Sequence, residues 1–188
     1  MTKKIDRKIH NDIVKDPTYV KTVNATARSA GAVGARALVP RKVRELPALE
    51  AKSVTILDYG SGPKALHTLG LRNDGYDNVT AHELGGNLTS VHDPEALTRK
   101  YHVVMASNVL NVQPTRKDLV HVLCELRAAT AGGGMCVVNF PESPRKNGVS
   151  VNELASLLEW LFGNVRQVGG TKRAPVYLMR ADHRTEDA

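Results

Sequence analysis

The feature that most constrains this chain is the run from Ser53 to Tyr59, which ends in Asp58-Tyr59 and passes at once into Gly60-Ser61-Gly62. A short, mainly apolar run bounded by glycines reads as a strand buried on both faces, and such strands belong in parallel sheets covered by helices. The glycines let the backbone turn tightly and approach a bound molecule closely.

The residues that follow keep this grammar. Pro63 to Asn73 reads as a short helix stopped near Gly75, Asn78 to Glu83 as a second strand, and Tyr101 to Ser107 as a strong one. Thr115 with Asp118 has capping-box spacing and opens a helix carrying Leu119, Val122, Leu123 and Leu126 on one stripe. That helix is expected to end at Gly132-Gly133-Gly134, before a buried strand from Met135 to Phe140. Ser150 with Glu153 repeats the capping-box spacing ahead of Leu154, Leu157, Leu158 and Leu161, with Gly163 as the stop. Val165 to Val168 and Val176 to Met179 read as two closing strands joined through a Gly-Gly turn region. Alternating strands and helices predict an α/β fold: a Rossmann-like, doubly wound, mostly parallel sheet with an antiparallel last strand.

Charge divides the chain. Residues 1–50 hold 11 Lys and Arg against 5 Asp and Glu, whereas residues 51–188 hold 15 against 14. The expected organisation is a basic, partly helical extension over 1–50, with a helical stretch within 11–30, and an α/β domain over 51–188. A basic arm suits an anionic partner, with DNA or RNA the obvious class. The N-terminus is polar, without the apolar core of a signal peptide, and no run approaches the roughly 20 apolar residues of a membrane span. A cytoplasmic location and no membrane partner are expected. Cys124 and Cys136 sit in apolar runs and form no CxxC, so they read as core residues. The seven histidines show no metal-ligand spacing, and no metal is expected. Nothing in the sequence sets the oligomeric state.

The turn has two spellings. Gly60-Ser61-Gly62-Pro63-Lys64-Ala65 matches the dinucleotide pattern G-x-G-x-x-G/A, and Glu83 lies where a ribose-binding acid belongs, which points to NAD. Asp58 opposes this, because its carboxylate would face a pyrophosphate at low dielectric. S-adenosylmethionine carries a sulfonium and an ammonium in place of phosphate, and an acid at the turn suits it.

Leu57-Asp58-Tyr59-Gly60-Ser61-Gly62 resembles motif I of the class I S-adenosylmethionine-dependent methyltransferases, and the likeness extends over residues 53–180. The resemblance implies that Asp58 orients the methionine ammonium, that the Tyr59 to Gly62 turn lines the ligand, and that Glu83 accepts the ribose hydroxyls. The stretch from Glu83 to Tyr101 is short for the family, which predicts a third strand that is small or missing, with Asp93 where an adenine-contacting acid belongs. The end of the Tyr101 strand would face the transferable methyl, which nominates Asn108 and Asn111 as catalytic residues and Asn108 also as a cofactor contact. Ser107 to Val112 is similar to a version found in small methyltransferases of phage and mobile-element type. The D/N/S-P-P-Y/F turn of amine-directed enzymes is absent, and so is the Pro-Cys nucleophile of the cytosine C5 enzymes. Asn139 to Lys146 reads as a substrate-side loop in which Arg145 and Lys146 meet an anion and Glu142 serves as a base or holds an amine.

The expected function is therefore an S-adenosylmethionine-dependent methyltransferase with an unassigned acceptor, nucleic acid among the candidates. The alternatives are a binding or regulatory protein that keeps the fold without turnover, and a small NAD-dependent enzyme.

Overall fold

Among the described residues six strands form one sheet in the order β2-β1-β3-β4-β6-β5. The computed structural model describes residues 21–22, 37–83, 88–143, 145 and 147–182. The strands are β1 (Ile56–Tyr59), β2 (Val79–His82), β3 (Tyr101–Ala106), β4 (Thr130–Asn139), β5 (Gly163–Thr171) and β6 (Ala174–Ala181). The α-helices whose bounds lie among the described residues are α1 (Leu38–Arg44), α2 (Leu66–Asn73), α3 (Arg116–Ala129) and α4 (Val151–Phe162). β2, β1, β3 and β4 are mutually parallel; β6 runs antiparallel to both β4 and β5 and is inserted between them. The antiparallel last strand is therefore internal, and β5 is the edge.

The strands alternate two cores. Leu57, Tyr59, Val104, Ala106, Cys136 and Val138 face one side, where Leu119, Leu123 and Leu126 of α3 and Leu154 and Leu158 of α4 pack over them. Ile56, Val103, Met105 and Val137 face the other, under Val39 and Val43 of α1 and Leu71 of α2. Residues 38–50, which composition assigns to the basic extension, thus supply buried side chains to the same body as the sheet. Pro40 fits because it lies in the first turn of α1, where an N–H is unpaired in any case. The expected helical stretch within 11–30 and the arm around it lie almost entirely outside the described residues.

Both helix starts behave as their spacing predicts, with one difference. Thr115 and Asp118 form a reciprocal capping box. Ser150 accepts from the Glu153 N–H at 3.1 Å, but the Glu153 carboxylate turns instead to Arg116 at 2.8 Å. Gly163 stops α4 at φ 79, and a Cβ there would lie 2.4 Å from Asp182 Oδ2.

Two glycine runs do not act as the expected breaks. Helix α3 ends at Ala129, because Thr130 turns extended and its hydroxyl donates to the Leu126 carbonyl at 2.7 Å. Gly132 to Gly134 therefore lie inside β4. At Gly134 a Cβ would stand 2.9 to 3.1 Å from the carbonyl oxygens of Ala131, His102 and Tyr101, so this pairing needs a glycine. Gly169 and Gly170 likewise sit within β5, beside a register shift, and the reversal falls on Lys172 and Arg173.

The third strand is reduced as expected: a single parallel bridge, Ala81 to His92, lies beyond β2. Among the described residues no helix is long and apolar enough to cross a membrane, and no cluster of His, Cys, Asp or Glu is arranged to hold a metal. Both cysteines are free, and burial pushes both thiols up. Cys136 is a buried core group, whereas Cys124 is half-buried on α3, which departs from the expectation that both are core residues.

Candidate functional site at the β1 turn

The chain leaves β1 for β2 on one side and returns to β3 on the other, so the strand order reverses between β1 and β3. Ligands of open α/β sheets sit outside the carboxyl ends of the strands at such a point. Here the turn after β1 meets the segment after β3. Gly60 has φ 67, and a Cβ on it would lie 2.6 Å from Val109 Cγ2. Only glycine satisfies both the dihedral and the space.

The rest of the turn is held by the β2 side. Ser61 N–H donates to the His82 carbonyl at 2.9 Å, and Gly62 N–H donates to Glu83 Oε2 at 2.7 Å. His92 completes the grip. Its Nδ1 accepts from the Thr89 N–H at 2.9 Å, which leaves the proton on Nε2, and Nε2 donates to the Gly62 carbonyl at 3.0 Å. Gly62, at φ 73, is thus clamped through both its backbone groups. Burial raises the pKa of Glu83, while the Gly62 bond and the nearby His92 oppose that rise.

Asp58 lies beneath the turn and is buried. Its Oδ2 accepts from Thr68 Oγ1 at 2.8 Å, and the Thr68 backbone also hydrogen-bonds to the carboxylate. Thr68 is in the first turn of α2, whose own N-cap, Ala65, has no side chain to offer and takes φ 43. Asp58 therefore caps α2 from a neighbouring strand, where the helix dipole favours a negative charge. Burial nevertheless pushes its pKa from 3.8 up to about 7. Its second oxygen, Oδ1, is buried and has no hydrogen-bond partner among the described residues; the same is true of Ser61 Oγ.

Asn108 follows β3 at φ 58, a left-handed conformation that Asn tolerates better than other side chains. Its N–H donates to Asn139 Oδ1, and Asn139 Nδ2 donates to Asn108 Oδ1, both at 2.7 Å. The carboxyl ends of β3 and β4 are thereby locked together beside the turn.

Of the residues nominated from sequence, Asp58, Gly60, Ser61, Gly62 and Glu83 converge, and Asn108 adjoins them through Val109. Tyr59 contributes backbone only. Its ring is buried, and its hydroxyl donates to Glu125 of α3. Asn111 is fully buried in the short helix Leu110–Val112, away from the open edge. The Asp93 carboxylate is taken up by the Glu95 N–H at 2.8 Å and by Arg99. Thr68 and His92 carry no motif. The one clue to Thr68 is that α2 starts without a capping residue of its own. The aromatic rings of Tyr59, Tyr76 and Phe140 are buried, while Trp160 is exposed on α4.

No protein-family model matches the sequence, and no curated protein matches it. Solved structures do match in shape. Magnesium protoporphyrin IX methyltransferase from Synechocystis PCC 6803, with bound SAM, aligns at TM-score 0.56 and 13% identity, over 94% of this chain and 97% of that one. The 1,6-didemethyltoxoflavin-N1-methyltransferase of Burkholderia thailandensis, with its substrate and S-adenosylhomocysteine, aligns at 0.56 and 17%, over 92% and 89%. A SAM-dependent methyltransferase from Bacteroides fragilis, in complex with S-adenosyl-L-homocysteine, aligns at 0.55 and 12%, over 90% and 96%. The chain has the class I methyltransferase fold. At these identities the likeness establishes architecture alone.

Proposed function

We propose that this protein is an S-adenosylmethionine-dependent methyltransferase that binds its cofactor at the Gly60 to Gly62 turn. The observation that carries the reading is the pairing of that clamped turn with a buried acid below it and a second acid at its rim. Asp58 has a buried oxygen without a partner, which fits a ligand ammonium. Glu83 stands at the tip of β2, where a carboxylate reaches vicinal hydroxyls, and Gly60 leaves room for close backbone approach. An NAD pyrophosphate fits the turn less well, because the Asp58 carboxylate beneath it would face the phosphates at low dielectric.

When bound, S-adenosylmethionine supplies a sulfonium methyl, and its transfer returns the C–S bonding pair to sulfur. The protein's part is positioning. The β1 turn fixes one side of the switch point, and the Asn108–Asn139 pair fixes the other. Holding donor and acceptor in line is sufficient for an already activated methyl. The acceptor comes from the β3 and β4 side, where the loop after Asn139 lies.

Incubation of the full chain with tritiated S-adenosylmethionine and cell extract, DNA or RNA tests this reading. Label transferred to some fraction supports it. Binding of the cofactor with no transfer to any fraction would favour a regulatory protein that retains the fold.

A further inference from the structure

We infer that the Asn108–Asn139 amide pair selects an oxyanion, a carboxylate or phenolate, as the methyl acceptor; the inference rests on the methyltransferase reading above. The orientation of both amides follows from one fixed donor. The backbone N–H of Asn108 is a donor however the side chains are turned, and it lies 2.7 Å from the Asn139 side chain. The atom it meets must be oxygen. The other end of the Asn139 amide is then Nδ2, a donor, and it lies 2.7 Å from Asn108, so the Asn108 atom there must also be oxygen. What remains of Asn108 is its NH2 group, which makes no hydrogen bond to any described residue. Asn108 is half-buried, and the next residue, Val109, packs against Gly60.

A group brought to this side of the switch point therefore meets the two N–H donors of Asn108 Nδ2, while the side-chain carbonyl oxygen of each asparagine is already engaged by a donor within the pair. An amine would set donors against donors, whereas an oxyanion accepts from both. Charge on the same edge agrees. Arg145, in the loop after β4, donates from Nη2 to the Phe140 carbonyl at 3.0 Å and lies 4.0 Å over the Phe140 ring. Its Nε is buried and has no partner among the described residues. Its acidic neighbour Glu142 is exposed and lies 3.4 Å from Arg173. A cation held here attracts an anionic acceptor and repels an ammonium. The chemistry also balances without a base: the oxyanion forms the new C–O bond with its own lone pair, the C–S pair passes to sulfur, and no proton has to leave.

The test uses the full chain, with binding of S-adenosylhomocysteine measured first by calorimetry. Sodium benzoate and benzylammonium chloride are then titrated at matched ionic strength, and the Asn108 side-chain amide is followed by 1H–15N correlation. We expect benzoate to shift that resonance and to bind at least about tenfold more tightly than benzylammonium. Asn108→Asp, which places a carboxylate oxygen where the NH2 group was, reverses the order. Asn108→Gly, which suits the left-handed backbone and keeps the fold, narrows the preference to the part that the Arg145 charge supplies. Equal or tighter benzylammonium binding, no benzoate shift, or an unchanged order in Asn108→Asp overturns the inference. Failure to bind S-adenosylhomocysteine contradicts the methyltransferase reading instead, because the benzoate preference is read with or without it.

Discussion

The Gly62 backbone N–H donates to Glu83 Oε2 across 2.7 Å, so the turn after β1 and the tip of β2 act as one unit. The contact orders the turn and leaves the second carboxylate oxygen for a ligand. Glu83→Ala removes both functions. A hydrogen bond to a charged group contributes about 1.5–3 kcal/mol, so affinity for S-adenosylhomocysteine should fall about 10- to 100-fold. Glu83→Gln keeps an acceptor for Gly62 and should lose less. Calorimetry on the two variants checks the order.

Asp58 predicts a pH dependence of definite sign. Its carboxyl titrates near 3.8 in the unfolded chain and near 7 in the folded one. Between those values the folded state holds a proton that the unfolded state has released. The stability this proton contributes is complete below about pH 4 and is lost as pH rises through 7. A window of about three pH units corresponds to roughly 4 kcal/mol, taken as an order of magnitude. Urea unfolding from pH 4 to 8 should show the decline in the wild type and a flatter profile in Asp58→Asn. A cationic ligand also favours the charged carboxylate. S-adenosylhomocysteine should therefore release a proton on binding near pH 6.5, seen as a buffer-dependent heat that Asp58→Asn abolishes.

Gly60→Ala tests the contact between the two sides of the switch point. The new methyl would lie 2.6 Å from Val109 Cγ2, at φ 67. Strain of about 1–3 kcal/mol and weakened cofactor binding are expected. Adding Val109→Ala should relieve the clash but leave the dihedral cost, so the double variant should recover part of its melting temperature and not all of it.

Thr115→Ala separates the scaffold from the site. The capping box it removes belongs to α3 and touches no residue of the turn. A loss of about 1 kcal/mol in unfolding free energy is expected, with unchanged affinity for S-adenosylhomocysteine. A change in affinity would mean that α3 bears on the site.

Features that depend on neighbouring residues were legible in the sequence. The β1 run, the Thr115 box and the Gly163 stop are each set by short-range geometry. The shortened segment after Glu83 correctly pointed to a reduced third strand. What was not legible depends on partners distant in the chain. Gly134 is required by carbonyls of β3, so Gly132 to Gly134 looked like a helix end and are strand. The basic charges of residues 41–44 concealed Val39 and Val43, which are buried against the sheet. His92 had no reason to be chosen until β2 brought it to the Gly62 carbonyl. Asp58 was read as a ligand for an ammonium, yet its other oxygen caps α2 through Thr68, a role set by packing.

The most direct measurement of the central claim is calorimetry of the full chain with S-adenosylhomocysteine and, separately, NAD. The account predicts saturable one-to-one binding of S-adenosylhomocysteine, weakened at least about tenfold in Glu83→Ala, and no binding of NAD. No heat from S-adenosylhomocysteine, or tighter binding of NAD, would contradict it.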